Sequence, residues 1–246
     1  MTILRIRTQG DPVLRTPALT VTDFDESLRT LISDMFETMY AVKGVGLAAP
    51  QVGVGLQIFT WDIADDSGHV INPSIEVGDE PQEGGEGCLS VPGPGYDTPR
   101  RNHAIITGVD MNGDPVRREG TGLLARCFQH ETDHLHGTLF VDRLEGEVRK
   151  EAMRAMRAPD YQDIVDTVTR EREAQRLGAL PRRPRELRHP RSPMPSRDLT
   201  RGRGRPRAAR KIPPVHPSPV PRSEVLPRVH PLQVPPSPAE RIPDHD

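Results

Sequence analysis

The chain has 246 residues and a formal net charge of −2, a total that hides an acidic head, with 18 Lys/Arg against 29 Asp/Glu in residues 1–180, and a basic tail, with 15 Lys/Arg against 6 Asp/Glu in residues 181–246. The tail also holds 17 of the 27 prolines and no aromatic residue, so it buries too little apolar surface to offset the entropy of ordering it, and a disordered segment is expected at 181–246. Two cysteines make no disulfide framework, no run approaches the ~18–20 apolar residues of a membrane span, and MTILRIRTQGDP lacks a signal peptide's apolar stretch, so a reducing, cytoplasmic setting is expected.

In chain order, VTDFDESLRTLISDMFETMYAV places Leu28, Leu31, Ile32, Met35, Phe36 and Met39 on one helical face and predicts an amphipathic helix. Asp23, with Glu26 three residues on, makes a capping-box-like start. Glycines at 44, 46, 53 and 55 end that helix. LQIFTWDIA (56–64) and HVINPSIEV (69–77) read as strands, and HAIITGVDMNGDPV (103–116) as a strand running into a turn at Asn112-Gly113. A second helix fits TGLLARCFQHETDHLHG, stopped by Gly137, and charged, helix-prone stretches follow at 145–157 and 160–177. No βαβ alternation is present. The pattern predicts an α+β fold: short mixed or antiparallel β-sheets around a central HExxH-bearing helix, with an N-terminal and a C-terminal helix.

Within QHETDHLHG (129–137), His130 and His134 are separated by about 40° on a helical wheel, so both imidazoles reach one ion. Glu131 lies about 60° further round, placed to bond a metal-bound water as general base rather than to ligate. A surface helix that is merely rich in His and Glu is the plainer alternative, but Leu123, Leu124, Phe128 and Leu135 predict partial burial. Cys127 shares the metal-facing side, yet lies about 7.5 Å along the axis from the level of the ion. That exceeds what a side chain spans while keeping a metal–sulfur bond of roughly 2.3 Å, so Cys127 is expected to be a buried, inert thiol. Cys88, in EGGEGCLSVPG, is the better third ligand, because Gly84, Gly85 and Gly87 permit close approach of backbone to another element. Three protein ligands leave a fourth position open, as catalytic sites do; a closed structural Cys2His2 site is the alternative and needs Cys127 as well.

Upstream, GVGLAAPQ (44–51) matches a G-x-G-x-x-A dinucleotide fingerprint at Gly44, Gly46 and Ala49, but it follows a helix and has Pro50 where a new helix would continue, so that reading fails. GVGLAAPQ, EGCLS and QHETDHLHG, in this order with roughly 35 residues between successive motifs, resemble the three signature motifs of the peptide deformylases. The resemblance implies a catalytic domain over residues 1–158, leaving 159–180 as a helical extension before the tail. It implies removal of the formyl group from the N-terminal formylmethionine of new proteins, with release of formate. It further implies Cys88, His130 and His134 as ligands of Fe(2+), with Zn(2+) or Ni(2+) as substitutes, and Glu131 as catalyst. Gln51 and the Leu89 backbone would line the reacting carbonyl, and Gly44-Val45-Gly46 would pair with the extended substrate or simply form a turn. Asp133 is expected to hold the helix through Arg100 or Arg101. The stretch VPGPGYDTPRR after Cys88 departs from relatives that carry a substrate-facing arginine there, which implies a different grip on the distal peptide.

Expected partners are nascent formylmethionyl polypeptides and, through salt-sensitive phosphate contacts of the basic tail, the ribosome; no membrane is expected, and the chain is expected to be a monomer. Two rivals stand beside this reading. An HExxH peptidase cutting internal bonds would take a third ligand downstream, where Glu145, Glu147 and Glu151 offer no matching context. A metal-stabilised binding module would need no general base, so Glu131→Gln separates it from an enzyme.

Overall fold

The computed structural model describes residues 2–178, and the tail expected at 181–246 lies outside the described residues. Helix α1 (Glu26–Ala41) begins at Asp25, whose carboxylate accepts a hydrogen bond from the Leu28 amide at 3.0 Å. The cap is therefore Asp25 rather than Asp23: it directly precedes the first turn and reaches an otherwise unpaired helical amide, while Glu26 is already helical. Leu28, Ile32, Met35 and Met39 are buried along one face, as their spacing predicts. Lys43, at φ 57°, turns the chain out of the helix, and the Gly44 amide bonds back to the Met39 carbonyl.

Nine strands follow among the described residues: β1 (Gly46–Ala48), β2 (Ile58–Ile63), β3 (Asp66–Val77), β4 (Pro81–Gln82), β5 (Gly85–Cys88), β6 (Val91–Asp97), β7 (Arg100–Arg101), β8 (His103–Val109) and β9 (Pro115–Thr121). All their pairings are antiparallel: a five-stranded sheet in the order β1-β2-β3-β8-β9, and two small sheets, β4-β7 and β5-β6. The Asn112-Gly113 turn closes a hairpin onto β9, which hydrophobic patterning passes over because PVRREGT is a largely exposed, charged edge strand.

Three helices complete the fold: α2 (Gly122–Leu135), α3 (Gly146–Ala155) and α4 (Tyr161–Arg176). Alternation along the strands divides the core between α1 and α2. Leu47, Ile58 and Ile71 pack with Ile32, Met35 and Met39 of α1. Their neighbours Ala48, Phe59 and Val70 pack with Ala125 and Phe128 of α2. Trp61 meets Phe128 edge-to-face at 5.3 Å between ring centroids. Gly137, at φ 70°, ends α2, and a side chain there would strike the Arg15 backbone. No helix among the described residues is long and apolar enough to cross a membrane.

Candidate metal centre

The HExxH helix is α2, and the face it turns inward carries His130, Glu131 and His134, all buried. Cys88 arrives at the end of β5, where the register against β6 shifts between Glu86 and Cys88 and re-aims the chain toward α2. The Cys88 sulfur lies 3.3 Å from His134 Nε2, and one donor atom each from Cys88, His130 and His134 lie within 4.8 Å of one another. A thiol and two imidazoles converging in a buried site is a donor set that suits a divalent transition metal, so these residues fit such an ion. Cys127 is buried outside this cluster, its sulfur 3.8 Å from the Val45 carbonyl oxygen.

The ligand rings are held from behind. Glu86 Oε2 accepts a hydrogen bond from His130 Nδ1 at 2.9 Å, and the same carboxylate takes Arg100 Nε at 2.6 Å and Arg126 Nη1 at 3.1 Å. Arg100 then donates to Asp133 at 2.7 Å, and Asp133 also takes Arg143 at 2.6 Å. Asp133 is thus tied to Arg100; Arg101 instead donates to the Asp79 carbonyl. Gln51 is fixed by the Ala48 amide, which donates to its Oε1 at 2.8 Å, so that Nε2 faces Ser90 Oγ at 3.3 Å and the Cys88 sulfur at 3.7 Å.

Burial opposes ionisation of Cys88, but His134 and His130 beside it outweigh burial and hold the thiol well below its ordinary range. Burial pushes Glu131 up to about 7, against the opposing pull of the two histidines. Burial likewise drives the Cys127 thiol well up, with Glu131 and Glu86 adding to it, so Cys127 stays protonated. For Glu86, burial acts upward, yet the hydrogen bonds from His130 and Arg100 prevail and bring it down to about 2.

In front of these groups lies a cavity of about 380 Å³, walled on one side by Gly44, Val45 and Gly46 and on the other by Glu86, Cys88 and Leu89. Gly46 passes so close to α2 that a side chain there would fall on the Glu131 carboxylate and on the Cys127 sulfur. That explains why glycine stands where the wall meets the helix.

The sequence model of the family described as Polypeptide deformylase matches residues 3–150, more than half of the chain. The chain belongs to the polypeptide deformylase family.

Deformylases of this family are metal-dependent hydrolases that remove the N-terminal formyl group from nascent proteins. The chain is 55% identical over 161 residues to a peptide deformylase of Acidothermus cellulolyticus, covering 65% of this chain and 89% of that protein. It is similar to the crystal structure of a peptide deformylase from Legionella pneumophila, with a TM-score of 0.61 and 41% identity over 70% of this chain and 98% of that one. It is also similar to the Synechococcus elongatus peptide deformylase solved in complex with actinonin, with a TM-score of 0.60 and 43% identity over 63% of this chain and 85% of that one.

Gly44, Val45, Gly46, Gln51, Cys88, Leu89, His130 and Glu131, named from the sequence, line one cavity; of the residues behind them the sequence points to Asp133 and Arg100 but not to Glu86, Arg126 or Arg172. Glu86, inside EGCLS, shows nothing in its local pattern of its bond to His130. Arg126 sits between two apolar neighbours in sequence, and a charge on the buried side of α2 is the one signal that a partner awaits it. Arg172, on α4, donates to the Leu89 carbonyl at 2.8 Å, and no motif marks it.

Proposed function

We propose that Cys88, His130 and His134 hold the metal of this deformylase, that Glu131 moves the protons, and that Gln51 and the Leu89 amide meet the charge formed on the substrate. The observation that carries this reading is the convergence of a sulfur and two imidazole nitrogens within 4.8 Å beside a buried carboxylate whose Oε2 has no partner among the described residues. A divalent ion bound there supplies Lewis acidity, lowering the pKa of water and polarising the formyl oxygen. Glu131 accepts the water's proton, and the oxygen attacks the formyl carbon. Negative charge on the formyl oxygen is met by the Gln51 Nε2–H and the Leu89 N–H; loss of one such donor costs about 10²–10³ in rate. Glu131 then delivers the proton to the leaving amine, the C–N bond breaks, and formate and a free N-terminal methionine leave.

Substrate lies, in this reading, along β1. That strand is an edge of the five-stranded sheet, and Gly44 and Val45 lead into it, which supports pairing of the Gly44–Gly46 backbone with an extended peptide as an added strand. The methionine side chain enters the cavity between Val45, Leu123 and Cys127, an apolar lining that suits a thioether.

The ion we propose is Fe(2+), with Zn(2+) or Ni(2+) able to replace it, because one thiolate and two imidazoles accept each of these. In this reading residues 1–158 form the catalytic domain and α4 (Tyr161–Arg176) a helical extension of it; 179–180, the end of the span expected for that extension, lie outside the described residues. Action on formylated nascent chains supports a cytoplasmic setting. The net charge of +9 in residues 181–246, from 15 Lys/Arg and 6 Asp/Glu, favours contact with ribosomal RNA. Equal ribosome co-sedimentation of the full chain and of residues 1–180 at low and moderate salt would end that last idea. The test of the chemistry is formate release from formyl-Met-Ala-Ser, run anaerobically with iron: the wild-type chain turns over, Cys88→Ala does not, and an active Cys88→Ala overturns the ligand assignment.

A further inference from the structure

Helix α4 lies beyond the residues matched by the family model, and it reaches one wall of the cleft, at Leu89, and the end of α1, at Ala41. It packs along β6, and from its last turns Arg172 Nη1 donates to the Leu89 carbonyl at 2.8 Å while Gln175 Nε2 donates to the Ala41 carbonyl at 2.6 Å. Among the described residues no carboxylate pairs with Arg172; burial pulls its guanidinium below the ordinary range, with the charge of Cys88 acting the other way. A half-buried guanidinium thus spends its hydrogen bond on a backbone carbonyl next to the metal centre.

The peptide it touches is a junction. The Leu89 carbonyl and the Ser90 amide belong to one rigid planar unit, and that Ser90 N–H donates to the Cys88 sulfur at 3.4 Å. Ser90 Oγ faces Gln51 Nε2 at 3.3 Å, and the Ser90 carbonyl accepts from the Gln9 amide at 2.7 Å. A charged donor on the carbonyl end of an amide polarises it and strengthens the bond made by its N–H end. Holding that unit also fixes the Leu89 backbone on its other side.

We propose that Arg172 is a positioning residue for deformylation: by holding the Leu89–Ser90 peptide it sets the place of the Cys88 sulfur and of the Leu89 amide against the reacting carbonyl. This deepens the reading above and rests on the parts given there to Cys88 and Leu89.

The test uses the full chain loaded with cobalt(II), with metal content measured for each protein. Arg172→Met keeps the stem and removes the charge. It is expected to lower kcat for formyl-Met-Ala-Ser about tenfold at equal metal content, less than the loss of an oxyanion donor itself, with KM within about twofold. It is also expected to move the sulfur-to-cobalt charge-transfer band. Arg172→Lys retains a charged donor and should fall between, with kcat down about threefold. Gln175→Ala, which loosens the same helix end elsewhere, should leave kcat and the band unchanged. Wild-type kcat in both Arg172 variants, a lower kcat with an unmoved band, or an equal loss in Gln175→Ala each overturns the proposal, the last two because α4 would then act only as a strut. Cys88→Ala in parallel separates the two levels. If it stays active, the metal-site reading falls; if it is inactive while Arg172→Met matches wild type, only the part given to Arg172 falls.

Discussion

Glu86 accepts the Nδ1–H of His130 at 2.9 Å, and this bond decides which ring nitrogen is left to bind an ion. Because Arg100 and Arg126 also press on the carboxylate, Glu86 is ionised and can only accept, so Nδ1 keeps its proton and Nε2 is the nitrogen left to an ion. The orientation of a histidine on α2 is therefore set by a residue on β5, two positions before Cys88.

Removing that carboxylate should cost both fold and metal. Glu86→Ala takes the shared carboxylate from two buried guanidinium groups, leaving Arg100 with Asp133 and Arg126 with Gln82 and the Thr98 carbonyl, a change expected to destabilise by about 3–5 kcal/mol. The freed His130 ring should weaken metal binding about 10–100-fold. Urea unfolding of the metal-free protein and a chelator competition read the two effects; an affinity unchanged within error would show that Glu86 does not orient the ring. The pH dependence has a definite sign. With Glu86 held down to about 2, the folded state binds its proton less tightly than the unfolded chain does. Its stabilisation is complete above the ordinary carboxylate range and is lost as the pH falls toward 2. Between pH 5 and 3 the wild type should thus lose more stability than Glu86→Ala.

Glu131 carries the opposite sign. Burial raises it to about 7, so the metal-free fold binds this proton more tightly than the unfolded chain does. The corresponding stability is full below the ordinary carboxylate range and drains away as the pH rises through 7. Glu131→Gln, neutral at every pH, should be more stable than wild type in the metal-free state by a margin that widens from pH 5 to pH 8. The same variant, loaded with metal, should lose about 10²–10⁴ in kcat while keeping its metal and its fold. A stability difference that stays flat with pH would refute the burial argument, and near-normal turnover would take the proton-moving role away from Glu131.

What was legible in the sequence follows from the range of the forces involved. The four-residue spacing of His130 and His134 fixes their common face on any helix, and Gly137 ends that helix for reasons local to one residue. The helical face of Leu28, Ile32, Met35 and Met39 is equally local. The cap at Asp25 rather than Asp23 is a choice between neighbours, which pattern alone does not make. β9 lacks alternation because it pairs on one side only. The partners of Glu86, Arg126 and Arg172 lie in other elements of the fold, so nothing along the chain near them announces the contact.

The two cysteines should separate cleanly. Cys127→Ala removes a thiol that burial keeps protonated and that lies outside the ligand cluster, so bound metal should stay at one per chain and kcat within about threefold. Cys88→Ala removes a thiol already poised to ionise between two imidazoles, and should lose both bound metal and turnover. Metal analysis after gel filtration decides; loss of metal in Cys127→Ala would point to a closed Cys2His2 site.

Gly46→Ala tests how closely β1 must approach α2. The backbone at Gly46 does not have positive φ, so alanine brings no conformational strain and its whole effect is what the new methyl touches. Those contacts are the Glu131 carboxylate and, at 2.7 Å, the Cys127 sulfur. Overpacking of this kind costs about 1–3 kcal/mol. Displacing the general base by a fraction of an ångström to an ångström should lower kcat by about 10²-fold, with metal content unchanged because none of the three ligands is struck. Adding Cys127→Ala makes room on the sulfur side alone. The double variant should therefore regain most of the lost thermal stability and little of the lost turnover. If both recover together, the damage in Gly46→Ala is general crowding, and the close pass of β1 has no special bearing on Glu131.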